Sequence, residues 1–151
     1  MSVFTVEELE LIAAANAVIL EKFKRGMSLT SPDLVAEYLT TKLAVEEQEV
    51  FRVLLLDSKH RLIDDVALFK GSISAAYVHP RDIIKKVLDV NAAAVICAHN
   101  HPSGHISPSR ADIDITDQIK AALATIDVRF LDHVIVGGGE TYSFAGRGIL
   151  N

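Results

Sequence analysis

Two short runs of apolar residues constrain the fold more than any other feature of the sequence. Residues 50–56 contain a single charged side chain, and residues 92–98 contain none. Apolar runs of this length are typical of strands that are buried on both faces, as happens where helices cover both sides of a sheet. We therefore predict strands at 50–56 and 92–98 in a fold of the α/β class.

The segments around these runs have the patterns of further helices and strands. A helix is predicted at 6–24, capped by Thr5 and ended by Gly26, and shorter helices begin at Ser31-Pro32 and at Pro80. The apolar stripe of the helix after Pro80 contains Ile83, Ile84, Val87 and Leu88. Another helix is predicted at 109–125, with strands at 62–69, 129–136 and 141–144. The order predicts a single domain with one mixed sheet and flanking helices.

Composition and charge limit the classes of function. The 151 residues are 50% hydrophobic and 23% charged, which is ordinary for a globular domain that needs neither a disulfide nor a metal to fold. Cys97 is the single cysteine, which fits a reducing compartment. The acidic N-terminus does not have the pattern of a signal peptide, and no run reaches the roughly 20 apolar residues of a membrane span. We expect a cytoplasmic protein without a membrane partner.

The basic residues form only short clusters, at 59–61 and 85–86, and the net charge is −5. A nucleic-acid interface normally carries a basic excess on one face. These clusters are therefore interpreted as solvated surface charge, and nucleic acid is not an expected partner of this chain.

The pattern that carries chemistry begins where the second apolar run ends. His99 and His101 are two residues apart, so on an extended chain their side chains point the same way. Asp112 lies near the start of the next helix, and a strand end and the following helix start share one edge of a sheet. Two imidazoles and a carboxylate, with one position left for water, are the ligands of a catalytic zinc site. Other divalent transition metals are an alternative.

A zinc-bound water needs a base, and three glutamates precede the strand at 50–56: Glu46, Glu47 and Glu49. The pattern does not choose among them. Ser109 lies three residues before Asp112, on the same face of the predicted helix. Its hydroxyl either points at the metal site or caps the helix as one half of a capping pair.

The remaining cysteine and histidines have simpler interpretations. Cys97 shares strand parity with His99, so a thiolate ligand is an alternative, but its apolar surroundings favour a buried small residue. His133 is interpreted as a hydrogen-bonded polar residue at the sheet surface, with support of a metal ligand as the alternative. His60 and His79 are expected to be structural or surface residues, and His105 is given no role.

Read together, Glu…His99-x-His101-x(10)-Asp112 resembles the JAMM signature of the MPN+ metalloprotease family. The strings at 99–104 and 108–112, together with those at 78–81, 91–94 and 131–133, resemble the bacterial RadC-like branch of that family. The resemblance covers about residues 30–150, and it leaves residues 1–28 as one amphipathic helix ahead of a domain at 29–151. Full-length RadC-like proteins carry a helix-hairpin-helix region, a DNA-binding type of module, ahead of this domain. Residues 1–28 are predicted to form only one amphipathic helix, so the resemblance does not extend a DNA-binding role to this chain.

The resemblance implies a JAB/MPN fold, which is similar to that of the cytidine deaminases, and one Zn²⁺ ion per chain. It implies that His99, His101 and Asp112 hold the metal, that Glu49 is the general base and that Ser109 stabilises the oxyanion. The expected substrate is a peptide, a protein or a small amide. Two alternatives remain: a non-catalytic MPN-type binding module and a DNA-repair-associated factor. A zinc deaminase is excluded, because its Pro-Cys-x-x-Cys pair needs two cysteines.

Overall fold

The computed structural model describes residues 2–24, 28–29, 31–71 and 78–150. Its helices are α1 (Val6–Lys24), α2 (Pro32–Leu43), α3 (Pro80–Val90) and α4 (Arg110–Ala124). Its strands are β1 (Glu49–Leu56), β2 (Leu62–Gly71), β3 (Ala94–Asn100), β4 (Arg129–Gly137) and β5 (Glu140–Ser143). Every predicted helix and strand is present. Gly26, predicted to end the first helix, lies outside the described residues.

The five strands form one mixed sheet in the order β2-β1-β3-β4-β5. β1 runs antiparallel to both β2 and β3, β3 and β4 are parallel, and β4 and β5 are antiparallel. The parallel pair is joined through α4, so the carboxyl end of β3 and the start of α4 lie at one edge of the sheet. The prediction of an α/β fold with a mixed sheet and flanking helices is confirmed.

The strand β3 begins two residues later than predicted and extends through Asn100. Asn91 ends α3 in the left-handed conformation (φ 55°), and the Ala92 N–H donates to the Val87 carbonyl. Ala92 is therefore used to close the end of the helix rather than to pair in the sheet. The shift brings His99 and Asn100 into the strand itself.

The two faces of the sheet bury separate apolar cores. Even-numbered residues of β1 and β3, such as Leu54 and Ile96, pack with α2, and odd-numbered ones, such as Val53 and Val95, pack with α3 and α4. This alternation is the period-two geometry of a strand, and it explains why the sequence shows unbroken apolar runs. Leu88, one of the apolar residues of α3, is 63% exposed.

The first helix is less buried than the others. Thr5 caps it through a reciprocal pair in which the Glu8 N–H donates to Thr5 Oγ1 and the Thr5 N–H donates to Glu8 Oε2. α1 packs on α2 and β2, and the side-chain oxygen of Asn16 is buried without a hydrogen-bond partner among the described residues. Within the described ranges, α1 and the other helices all fall short of the length and apolar character that a membrane span requires.

Candidate metal centre

Two histidines converge at the carboxyl end of β3. His99 lies in the strand and His101 follows it, with ring nitrogens Nε2 3.1 Å apart. His99 is buried, and the side chain of His101 is 17% exposed. The structure thus brings together the two imidazoles that the i, i+2 spacing predicted.

Asp112 reaches the same two nitrogens from the first turn of α4. Its Oδ1 lies 3.2 Å from Nε2 of His99, and its Oδ2 lies 3.1 Å from Nε2 of His101. The carboxylate is held by a capping box: the Ser109 N–H donates to Asp112 Oδ2, and the Asp112 N–H donates to Ser109 Oγ. Ser109 is therefore the N-cap of α4, as one of the two sequence interpretations expected.

The pairing of β1 with β3 places Glu49 beside the two histidines, whereas Glu46 has a different partner. Phe51 pairs with His99 in the antiparallel register, so Glu49, two residues earlier, lies on the same face and near His101. Glu49 is buried, and its Oε1 is 3.9 Å from Nε2 of His99. Glu46 instead forms an ion pair with Lys70 at 3.1 Å. The donor atoms of Glu49, His99 and His101 all lie within 4.8 Å of one another, so this group could hold a metal ion.

Asn100, between the two histidines, faces the opposite side of the sheet and fixes the backbone around Glu49. Its Oδ1 accepts from the Val50 N–H at 2.7 Å, and its Nδ2 donates to the Gln48 carbonyl at 3.0 Å. The tripeptide at 99–101 therefore supplies two imidazoles to one face and a backbone clamp for the glutamate to the other. No role was predicted for Asn100. The alternation of side chains along a strand nevertheless places it on the face opposite to that of His99 and His101.

A second row of buried polar groups lies behind His99. Its Nδ1 is 2.8 Å from Nε2 of His133, and Nδ1 of His133 is 2.6 Å from Oγ1 of Thr116. His133 is fully buried, so its interpretation as a polar residue at the sheet surface was wrong. The helix α4 covers this part of β4, and the ring of His133 contacts His99; the alternative interpretation, support of a metal ligand, stays a prediction. Thr116 was missed, although it lies one helical turn after Asp112 on the same face.

The pKa values of the two carboxyl groups at the site are shifted in opposite directions. Burial raises the pKa of Glu49, partly opposed by the nearby His99. Burial also favours the neutral form of Asp112, but the close contacts with the rings of His101 and His99 outweigh it and hold the pKa of this carboxyl well below its usual range. The same contact with Asp112 raises the pKa of His101. The charged form is therefore favoured for Asp112, and Glu49 is the carboxyl group that takes up a proton more readily.

The loop after β3 is held on both sides. Nδ1 of His101 lies 2.7 Å from the His105 carbonyl, a role for this backbone that the sequence did not indicate. The His101 N–H donates to the Val136 carbonyl. At Gly137 a Cβ would lie 3.1 Å from the Gly104 carbonyl group, so the glycine turn after β4 permits the close approach of the loop.

The other candidates are not part of the group. Cys97 is buried in the apolar core under α3 and α4, where burial raises the pKa of its thiol, as expected for a small apolar residue. His79 is the N-cap residue of α3 without a side-chain cap bond, and Nε2 of His60 contacts Arg129 at 3.3 Å. The roles predicted for His99, His101 and Asp112 as ligands, and for Glu49 and Ser109 in catalysis, stay predictions.

Comparison with known proteins gives one consistent result. The model of the RadC-like JAB domain matches residues 29–149. A UPF0758 protein of Shewanella baltica is 54% identical over 137 residues, which cover 91% of this chain and 61% of the relative. A UPF0758 protein of Shewanella oneidensis is 53% identical with the same coverage. The chain spans about three fifths of the length of these curated relatives. By this match the chain belongs to the family of RadC-like JAB domains.

Proposed function

We propose that this protein is a zinc-dependent hydrolase that cleaves an amide bond in a peptide, a protein or a small amide. One observation carries the proposal: Nε2 of His99, Nε2 of His101 and the carboxylate of Asp112 lie 3.1–3.2 Å from one another, beside the buried carboxylate of Glu49. The single cysteine fits a reducing compartment, and we place the activity in the cytoplasm.

The donor set fits zinc. Two imidazoles and one carboxylate are the ligands of many catalytic zinc sites, and zinc accepts nitrogen and oxygen donors in a tetrahedral arrangement. Each Nδ1 already has a hydrogen-bond partner, which leaves Nε2 of both histidines for the ion. Zinc, when bound by these residues, supplies a Lewis acid that lowers the pKa of water to about 7 and polarises a carbonyl group.

The chain itself provides the proton carrier. Glu49 is buried, its pKa is raised, and the Asn100 clamp fixes its backbone. A carboxyl group with a raised pKa is suited to take a proton from the attacking water and deliver it to the leaving nitrogen. Asp112 has the opposite character, because a carboxylate with a low pKa stays ionised and suits a ligand.

Ser109 provides a hydrogen-bond donor next to these groups. Its Oγ accepts from the Asp112 N–H, and this bond does not use the hydrogen of its own hydroxyl. That hydrogen is available to the oxyanion that forms when the amide carbonyl is attacked. Capping of α4 and stabilisation of the oxyanion are compatible roles of one side chain.

Substitutions of Asp112 and Glu49 distinguish the role of a metal ligand from the role of the general base. We expect about one zinc per wild-type chain purified without chelator. Asp112→Asn should lose the zinc, whereas Glu49→Gln should keep it and lower the hydrolysis of a quenched fluorescent peptide library by about 10²–10⁴-fold. Elemental analysis measures the zinc content, the peptide assay measures hydrolysis, and circular dichroism checks that each variant is folded.

Glu46→Gln is the matched control, because Glu46 precedes the same strand but pairs with Lys70 at the surface. It should keep both zinc and activity. A native protein that refuses zinc at neutral pH would overturn the metal assignment. Zinc-loaded protein in which Glu49→Gln cleaves as fast as wild type would overturn the assignment of the base.

A further inference from the structure

We propose that Thr116 and His133 act together as positioning residues that fix the tautomer of His99 and so select Nε2 as its metal-binding atom. The proposal rests on the role of His99 in the proposed function. It is carried by three consecutive hydrogen bonds that lead from the backbone of α4 to the ring of His99.

The direction of the first bond is set by a main-chain carbonyl. Oγ1 of Thr116 lies 2.6 Å from the carbonyl oxygen of Asp112, which only accepts, so the hydroxyl donates its one hydrogen there. Oγ1 also lies 2.6 Å from Nδ1 of His133. Because its hydrogen is already used, the hydroxyl can only accept from His133. The proton of the His133 ring is therefore on Nδ1.

The surroundings of His133 keep it to that one proton. The ring is fully buried, stacked on Phe144 with centroids 4.8 Å apart and packed against the edge of Phe51 at 5.5 Å. Among the described residues no carboxylate is hydrogen-bonded to it. A second proton would place a charge in a fully buried position without a hydrogen-bonded carboxylate, which is costly. Nε2 of His133 is therefore an acceptor.

The acceptor determines the protonation of His99. Nδ1 of His99 lies 2.8 Å from Nε2 of His133, so Nδ1 must carry a proton and donate it. The lone pair for a metal is then on Nε2, the atom that faces Asp112 and His101. His101 also carries its proton on Nδ1, because this nitrogen donates to the main-chain carbonyl of His105. Of these two histidines, only His99 has a tautomer that depends on other side chains, which can be substituted.

The chain of bonds also links two candidate ligands. It begins at the backbone carbonyl of Asp112 and ends at His99, so the carboxylate and the imidazole are placed by one hydrogen-bonded unit within α4, β4 and β3. Groups that orient a ligating histidine typically contribute about 10–100-fold to metal affinity. We expect an effect of that size here.

The first test measures zinc affinity by competition with a chromophoric chelator. Thr116→Val removes the hydroxyl at nearly constant shape, and His133→Phe removes the acceptor while keeping an aromatic ring against Phe144. Each should weaken zinc binding by about 10–100-fold, and Thr116→Ser should restore wild-type affinity. Thr125→Val is the matched control, because Thr125 also donates to a main-chain carbonyl of α4 but is exposed.

The second test reads the tautomers directly by ¹⁵N NMR of the histidine rings. In the metal-free protein we expect His133 to carry its proton on Nδ1 and none on Nε2, and Nδ1 of His99 to be protonated with and without zinc. The metal-free spectrum gives this answer even if the wild-type protein binds no zinc, which would overturn the proposed function alone. A proton on Nε2 of His133, or unchanged zinc affinity in folded Thr116→Val and His133→Phe, would overturn the tautomer proposal.

Discussion

At the scale of single residues, Ser109 and Asp112 combine capping of α4 with a position at the candidate metal site. Ser109 and Asp112 satisfy the first N–H groups of α4, which otherwise have no partner inside the helix. The same bonds fix the rotamer of Asp112, whose oxygens face the two histidines. A short capping motif thereby places a candidate metal ligand to within a hydrogen-bond length.

The two roles of Ser109 can be separated with glycine. Glycine is tolerated at the N-cap, so Ser109→Gly should lower the free energy of unfolding by only a few tenths of a kcal/mol. Loss of an oxyanion donor should lower turnover by about 10²–10³-fold. Urea unfolding and the peptide assay measure the two effects. Ser31→Gly, at the N-cap of α2, is the control and should keep full activity; equal activity in Ser109→Gly would limit Ser109 to capping.

At the scale of elements, the alignment of β1 with β3 decides which glutamate reaches the site. The register pairs Phe51 with His99, and the side chain of Asn100 ties the start of β1 on both sides of Glu49. A shift by one residue would turn Glu49 to the opposite face of the sheet. Neither the pairing partner nor the register can be seen in the local sequence around 46–49.

The clamp predicts a defined phenotype for Asn100→Ala. The Val50 N–H would lose its partner in a buried position, which should lower the free energy of unfolding by about 1–3 kcal/mol, whereas the carbonyl of the exposed Gln48 can turn to water. Hydrolysis should fall because Glu49 is no longer held, while zinc content should stay near wild type because Asn100 is not a donor to the metal. Urea unfolding, the peptide assay and elemental analysis check this, and wild-type turnover would contradict the clamp.

The turn between β1 and β2 gives a prediction that depends on pH. The N–H groups of Arg61 and Lys59 and the Arg61 side chain donate to the Asp57 carboxylate, and they hold the pKa of Asp57 below its ordinary 3.8. A lowered pKa means that Asp57 stabilises the fold above pH 3.8 and loses this effect as the pH falls through its folded pKa. Asp57→Asn should therefore lower the melting temperature at neutral pH.

The difference in melting temperature between Asp57→Asn and the wild type should become smaller in melting curves recorded below the folded pKa of Asp57. Asp117→Asn, which removes one charge from the exposed surface of α4, controls for the loss of a surface carboxylate. A difference that stays constant across the acid range would show that the Asp57 charge is not the cause.

At the scale of the whole molecule, we expect the candidate metal site to be an addition to a core that forms without a metal. Two apolar clusters fill the two faces of the sheet, and the candidate ligands lie at its edge. We therefore expect the metal-free protein to be folded, with a native circular dichroism spectrum in the presence of EDTA. A chain that unfolds on chelation would contradict this.

Zinc should nevertheless raise the stability by mass action. At a free concentration about 100 times its Kd the gain is about 2.7 kcal/mol. For a domain of this size that corresponds to a rise in melting temperature of roughly 5–10 °C. Differential scanning calorimetry with and without zinc checks the shift, and His99→Ala should abolish it. The size of the shift then reports zinc affinity independently of any substrate.

The sequence by itself determined the elements, their order and the spacing of the candidate ligands. Apolar periodicity, caps and turn residues act over a few positions, so the presence of β1 and β3 and the pair His99 and His101 can be read locally, although β3 begins at Ala94 rather than at residue 92. Tertiary structure alone decided that Glu49 rather than Glu46 faces the histidines, that Asn100 clamps β1, and that His133 is buried behind His99. Each of these contacts joins residues far apart in the chain, and the register and packing that create them are set by the whole core.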